Sequence, residues 1–469
     1  MSERVEATSY GGIPLILRMA ERSGLKRAIN EYVEVLKQHQ PYSEADHILN
    51  IALNPLCGGA SLQDIEHRRN DAAYLEMLGT LAIPDPTTAG DFCRRFKTED
   101  VEALQDAINE ARLNVWRTQG ASFAKKPAIL DIDSSIVGTT GACKEGMDLT
   151  YKGIWGYHPI LVTYANTNEP LFIVNRSGSR HSAEGAPALL DKAIALCRRA
   201  GHESILMRGD TAFAMTRYID KWHEEGVNFV FGIMANRSTI KRADSIEQAQ
   251  YAEFVRNADK AFAQKKPRKK QPQVKQRIVE ERGYKDWKLV REDVAEFVSK
   301  PRLAKHTYRV VVLRKTITEH RGQLCLGNAD RYFFYITNDF DSSAKEIVRH
   351  SNQRCAQEDL IGELKHGVNA LRAPLNTLLS NNVYMVAASL AWSLKMWLAL
   401  SAPVAPRWRS EHTAERRHLL RMSFRTFVHE FILLPLQVVR TGRQLVLRIL
   451  TWRPSLVVFF RLAHAFGFA

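Results

Sequence analysis

The chain has 469 residues, 45% hydrophobic and 25% charged, which excludes wholesale disorder and leaves room for roughly two to four domains with sizeable cores. Its formal net charge of +15 and pI near 9.5 favour a polyanionic partner, either nucleic acid or an anionic surface. Six cysteines (Cys57, Cys93, Cys143, Cys197, Cys325, Cys355) include no C-x-x-C pair, so zinc fingers and a disulfide framework are excluded and a reducing cytoplasm is the simplest setting.

The N-terminus lacks the charged-then-apolar layout of a signal peptide. Residues 1–120 read as a helical, DNA-binding type of domain. Ile16, Leu17, Met19, Ala20 and Leu25 recur at helical spacing, as do Ala45, Ile48, Leu49, Ile51 and Ala52. Pro84-Asp85-Pro86 breaks the chain, after which Thr87 or Thr88 is expected to cap a short helix carrying Phe92 and Phe96. A longer helix is expected over 100–117. The pairs Arg68-Arg69 and Arg94-Arg95 suit either a surface laid on DNA or a solvated helix face.

The texture changes at Pro127. Residues 121–235 read as the first part of an α/β core, with strands over 128–132, 160–164 and 171–174, the last two pairing around a turn at 166–170. A helix over 186–200, a strand over 205–207, a helix over 216–225 and a strand over 229–233 continue the α/β order. Residues 236–330 break that alternation and read as a β-rich insertion, with a strand over 308–313 and the basic run 265–270 as an exposed loop. Residues 331–400 resume the core with a strand over 332–338 and then helices. Its most apolar run, 383–403, is interrupted by Ser389, Ser393 and Lys395, so a buried core helix is expected there and no membrane span. Residues 401–469 form a basic C-terminal region, expected to be helical and suited to facing DNA or another subunit.

Three separated segments carry the chemistry. Asp131 and Asp133 lie two apart in a strand and share a face, opposite Leu130 and Ile132; only one need be a ligand. Asp210 follows a strand and Gly209, at the kind of exit where α/β sites gather, although alone it reads as a helix cap. If 351–368 is one helix, Arg354, Glu358 and Lys365 fall within about 40° of one another and Ser351 joins them. Leu360, Leu364, Val368 and Leu371 then form the buried stripe, with Asp359 and Glu363 solvated. Three ionised carboxylates brought together repel unless a cation binds them. Their oxygen donors suit Mg²⁺ or Mn²⁺, and two such ions about 4 Å apart serve phosphodiester chemistry.

These segments resemble the DDE transposases of bacterial insertion sequences, in the cut-and-paste branch with a Y-x2-R-x3-E-x6-K signature. Arg354, Glu358 and Lys365 stand at that spacing, and Asp133-Ser134-Ser135 fits the first motif better than Asp131. The resemblance implies an RNase H-like core interrupted by a β-rich insertion, with Asp133, Asp210 and Glu358 as catalytic metal ligands for two Mg²⁺ ions, which Mn²⁺ can replace. It also implies double-stranded DNA as partner (terminal inverted repeats and target), a homodimeric synaptic complex and a nucleoid-associated place in the cytoplasm. Arg354, Lys365 and Ser351 would contact DNA. Ser351 replaces the signature's tyrosine, which puts the hairpin step of related enzymes in doubt. Phe333 is the nearest aromatic for stacking a displaced base, weighed against a place in the strand core.

His181, Trp155 and Tyr157 are secondary candidates, read first as structural: a hydrogen-bonding histidine and packed hairpin aromatics. No Walker loop, dinucleotide fingerprint or nucleophile elbow occurs. The alternatives are an RNase H-like metal-dependent nuclease unable to join strands, and a non-catalytic DNA-binding relative.

Overall fold

Helical spacing of apolar residues is realised throughout the N-terminal stretch. The computed structural model describes residues 6–256, 274–321, 324–442 and 444–468, so the basic run 265–270 lies outside the described residues. The chain forms two units, Met1–Glu203 with Ala356–Ala469, and Ser204–Cys355.

The first unit opens with a two-residue strand, β1 (Ala7–Thr8), and then the helices Ile13–Arg22, Leu25–Tyr32, Glu44–Leu56, Pro86–Cys93 and Thr98–Arg117, with shorter turns between. Asp85, not Thr87 or Thr88, caps the Pro86–Cys93 helix by accepting from the Thr88 amide at 2.9 Å. Proline at the first helical position has no N–H to satisfy, so the cap falls on the residue before it. Arg68 is buried and donates to the Asn50 carbonyl, the Asn50 side chain and the Tyr74 hydroxyl, so it braces the helices and cannot lie on DNA. Arg94 pairs with Asp91 on the surface.

Strands β2 (Ala128–Ser134), β6 (Ile160–Tyr164) and β7 (Glu169–Val174) run antiparallel in the order β2-β6-β7, with Asn168 at φ 58° in the connecting turn. Strands β3 (Val137–Gly138), β4 (Asp148–Leu149) and β5 (Trp155–Tyr157) make a separate small sheet in the order β3-β5-β4. Helix Ala186–Arg199 covers the larger sheet.

In the second unit, β8 (Ile205–Gly209) and β9 (Asn228–Ile233) are parallel, joined through helix Ile219–Glu224. They continue a mixed sheet with β10 (Ala252–Glu253), β11 (Lys285–Ser299), β12 (Tyr308–Arg321) and β13 (Leu324–Thr337), in the order β10-β11-β12-β13-β9-β8. Among its described residues, the stretch after 236 carries these strands together with helices Arg237–Asp244 and Val274–Glu281. Helix Ala344–Asn352, started by a Ser343–Glu346 capping box, sets Ile347 and Val348 into a core with Val230, Phe254, Val294, Val311 and Leu313.

The chain then returns to the first unit. Helix Leu378–Leu400 is long and apolar enough to cross a membrane by length and composition, yet it is buried throughout. It packs against Ile13–Arg22, Glu44–Leu56, Pro86–Cys93, Thr98–Arg117, β7 and the helix Arg409–Arg421, as the apolar run predicted. Beneath it, buried Glu169 accepts from Arg112 Nε at 3.1 Å, Trp116 Nε1 at 3.1 Å, Trp397 Nε1 at 2.8 Å and the Thr167 hydroxyl. The C-terminal region is not wholly helical. Strands β14 (Leu436–Thr441) and β15 (Gln444–Ile449) form a hairpin to which β1 adds, because alternating Leu436, Val438 and Arg440 meet a turn at Gly442, φ 60°. The whole is a mixed α/β molecule.

Candidate functional site

Strand β2 sorts its two aspartates by depth. Asp131, opposite Thr163, is fully buried, whereas Asp133, opposite Leu161 near the strand end, is half-buried. Asp133 Oδ1 accepts from the Ser134 amide at 2.7 Å, and the Ser135 amide donates to the Pro159 carbonyl as the strand ends. Of the two acids on this face, Asp133 is the one solvent can reach.

Asp210 stands at the exit of β8, half-buried, and caps the short helix Thr211–Phe213 by accepting from the Ala212 amide at 2.8 Å. Gly209 serves close packing: a Cβ there would stand 2.9 Å from the Phe213 and Phe231 side chains. The glycine lets the strand exit tuck against β9 and fixes where Asp210 begins.

The signature segment departs from the single helix expected over 351–368. Helix Ala344–Asn352 ends, Gln353 and Arg354 form a turn, helix Cys355–Gly362 follows, and Glu363–Gly367 is a π-helical turn closed by the Val368 amide on the Glu363 carbonyl at 2.8 Å. Arg354, Glu358 and Lys365 therefore do not form one stripe. Ser351 and Arg354 belong to the second unit, where the Ser351 hydroxyl and the Arg354 charge both act to lower the Tyr335 phenol. Burial, together with the Glu292 carboxylate, pushes the Tyr335 phenol up.

Glu358 is exposed in the first unit and lines a cavity of about 1110 Å³ with Asp359, Glu363, Arg417, Arg421 and Arg425. Glu363 is not simply solvated, since its Oε2 accepts from the Phe424 amide at 3.1 Å. Lys365 turns to another cleft and donates to the Ile136 carbonyl at 2.9 Å. That bond ties the π-helical turn, seven residues past Glu358, to a backbone position three residues past Asp133. Burial, then the Lys152 charge, hold the Lys365 amine below its ordinary range.

Phe333 is 43% exposed on β13, with the Lys315 ammonium 4.7 Å from its ring centre, so it is no core aromatic. His181 is exposed and accepts from the Ala183 amide at 3.2 Å. Tyr157 is buried as expected, its hydroxyl donating to the Glu145 carbonyl, while Trp155 is exposed.

A family model described as Transposase DDE domain group 1 matches residues 5–465. The chain belongs to this transposase family. No curated protein sequence matches it. Seven chains of known structure do; one is a piggyBac transposase synaptic complex with hairpin DNA solved by cryo-EM, 9% identical, covering 92% of this chain and 83% of that one with a TM-score of 0.41.

Membership makes the protein a DNA-processing enzyme of the DDE type and implies divalent metal ions. The donor chemistry of the three acids fits a hard cation, since each offers carboxylate oxygens and none offers sulfur or nitrogen. Among the described residues, no three His, Cys, Asp or Glu side chains stand together as a group able to hold an ion. Two features escaped the sequence reading. The Tyr335 phenol lies within the influence of Ser351 and Arg354, and Lys144, Lys365 and Arg372 share a cleft; neither grouping has a signal in linear spacing.

Proposed function

We propose that the chain is a DNA transposase that cleaves at the terminal inverted repeats of an insertion sequence and joins the 3′ ends to target DNA. In this reading Asp133, Asp210 and Glu358 are the catalytic carboxylates of an RNase H-like core. The observation that carries it is the family match over residues 5–465, which spans all three acids. The partial exposure of Asp133, against the full burial of Asp131, favours Asp133 as the first of them.

These acids would hold two Mg²⁺ ions, with Mn²⁺ able to substitute, which supply activation of the attacking oxygen and neutralisation of charge on the departing one. In cleavage, a water oxygen bonds to phosphorus, the P–O3′ bond breaks, and the released 3′ oxygen takes a proton. In joining, that 3′-hydroxyl attacks a target phosphorus and the target's own 3′ oxygen leaves. Lys365, Arg354 and Ser351 position flanking phosphates, and Phe333 offers a face to a displaced base. The enzyme acts as a homodimer in the synaptic complex, on DNA of the nucleoid in the cytoplasm.

Asp210→Asn tests the assignment cleanly, because asparagine is an equally good helix cap and should leave the local fold intact. Cleavage of an element end in Mg²⁺ should fall about a hundredfold or more, with duplex binding retained. Cleavage at the wild-type rate would remove Asp210 from the site. A pre-cut end with a free 3′-hydroxyl, supplied with a plasmid, should be inserted; its survival as unjoined DNA would leave a nuclease without strand transfer.

A further inference from the structure

The cleft that takes Lys365 is a cavity of about 750 Å³ in the first unit, lined among others by Ile136, Thr139, Lys144, Trp155, Lys365 and Arg372. Its wall is the small β3-β5-β4 sheet, and it is rigid for a local reason. A Cβ at Gly156 would collide with the Val137 carbonyl, so β3 and β5 approach as closely as two backbones can. The Tyr157 hydroxyl pins β5 further through its 2.8 Å bond to the Glu145 carbonyl.

Three cations converge on this cleft, and each spends a donor on a backbone oxygen. Lys144 donates to the Ala373 carbonyl, Lys365 to the Ile136 carbonyl at 2.9 Å and Arg372 to the Ala60 carbonyl at 3.1 Å. An ammonium or guanidinium so held still has N–H groups to give. Neither lysine forms an ion pair among the described residues. Burial alone lowers the Lys144 amine, and burial with the Lys152 charge lowers that of Lys365. The Asp64 carboxylate at the rim is engaged by the Ala60 and Ser61 amides at 2.7 and 2.9 Å, and two lysines gathered without an ion pair favour an incoming anion.

Trp155 adds a second, different signal. Its indole is 54% exposed at the cleft, beside Ile154 at 45%. Cations that track phosphates, joined to a flat aromatic face, form the combination that holds single-stranded nucleic acid. A base inside a duplex already has neighbours on both faces, so the indole favours a base left unstacked, as along a single strand.

We propose that this cleft holds a single strand of DNA, with an unpaired base stacked on Trp155 and its phosphates on Lys144, Lys365 and Arg372. The proposal rests on the transposase reading and adds to it a strand-holding surface outside the acidic residues. Trp155 is a positioning residue here, since it touches no reacting atom.

The test uses the full chain and fluorescence anisotropy with a labelled single-stranded oligonucleotide and the matching duplex, across a salt series. Trp155→Ala should weaken single-strand binding about tenfold or more, leave duplex binding within about twofold and keep the salt slope unchanged. Trp155→Phe should recover most of the loss, and its melting temperature together with that of Trp155→Ala checks folding. Arg372→Gln should reduce the salt slope by about one. Single-strand binding by Trp155→Ala equal to wild type overturns the cleft while leaving the transposase reading standing. So does an equal loss on single strand and duplex, or polyglutamate competing as well as the oligonucleotide. A wild-type chain that binds no DNA overturns both.

Discussion

Lys395 sits on the Leu378–Leu400 helix with no exposure, its ammonium 4.3 Å from the Trp392 ring centre and 3.4 Å from the Leu420 carbonyl. Burial depresses its pKa from 10.5 to about 7, against an upward pull from the Glu363 carboxylate. Between those two values the unfolded chain binds a proton that the folded chain does not, so stability rises with pH across that window and the full penalty is felt below it. Lys395→Met should therefore raise stability most at or below about pH 7, on the order of a few kcal/mol, and the gain should vanish as pH approaches 10.5. Thermal melts of both proteins at several pH values check this; a gain that grows with pH would contradict it. Glu169 is the opposite case, a buried charge with every oxygen engaged by Arg112, Trp116, Trp397 and Thr167. Glu169→Gln should cost about 3–5 kcal/mol in urea unfolding, because it strands the buried Arg112 guanidinium and turns an acceptor into a donor facing donors.

At the scale of elements, the small sheet beside the cationic cleft depends on one missing side chain. Gly156→Ala should force β3 from β5 and destabilise the unit by about 1–3 kcal/mol, with faster amide exchange concentrated over 136–157. Uniform exchange along the chain would mean the sheet does not rest on that glycine. Elements of this kind explain what could be read from the sequence. Apolar periodicity located the Thr98–Arg117, Ala186–Arg199 and Leu378–Leu400 helices, and β-branched runs located β6, β7 and β9, because burial imposes a pattern on every such segment. The outer halves of β11 and β12 were invisible: their polar residues, such as exposed Lys285 and Lys288 and half-buried Glu319, need no apolar alternation when pairing supplies the hydrogen bonds. The turn at Gln353 and Arg354 was missed because nothing local forbids a helix there; neither proline nor glycine marks it. The same break explains the partial legibility of the site. Asp133, Asp210 and Glu358 stood out as candidates through the transposase resemblance, since spacing alone left Asp131 and Asp133 open, while the grouping of Arg354 with Glu358 assumed a continuous helix the chain does not form.

For the whole molecule, a net charge of +15 should make ionic strength the main control on DNA affinity. Binding to an element end should fall linearly on a log–log plot against salt, losing about a thousandfold or more between 50 and 200 mM if at least six phosphates are contacted. A flat dependence would show that base contacts alone carry recognition. The order of the two units along the chain has its own result for the living cell. Residues Ser204–Cys355 are contiguous, whereas Met1–Glu203 must wait for Leu378–Leu400, the helix its own helices close around. During translation those early helices carry open apolar faces for the time needed to make some further 175 residues. A message truncated before that helix should yield a product that aggregates or is degraded instead of a separate DNA-binding fragment, so pulse-labelled truncations ending at 203 and at 377 should turn over much faster than the full protein.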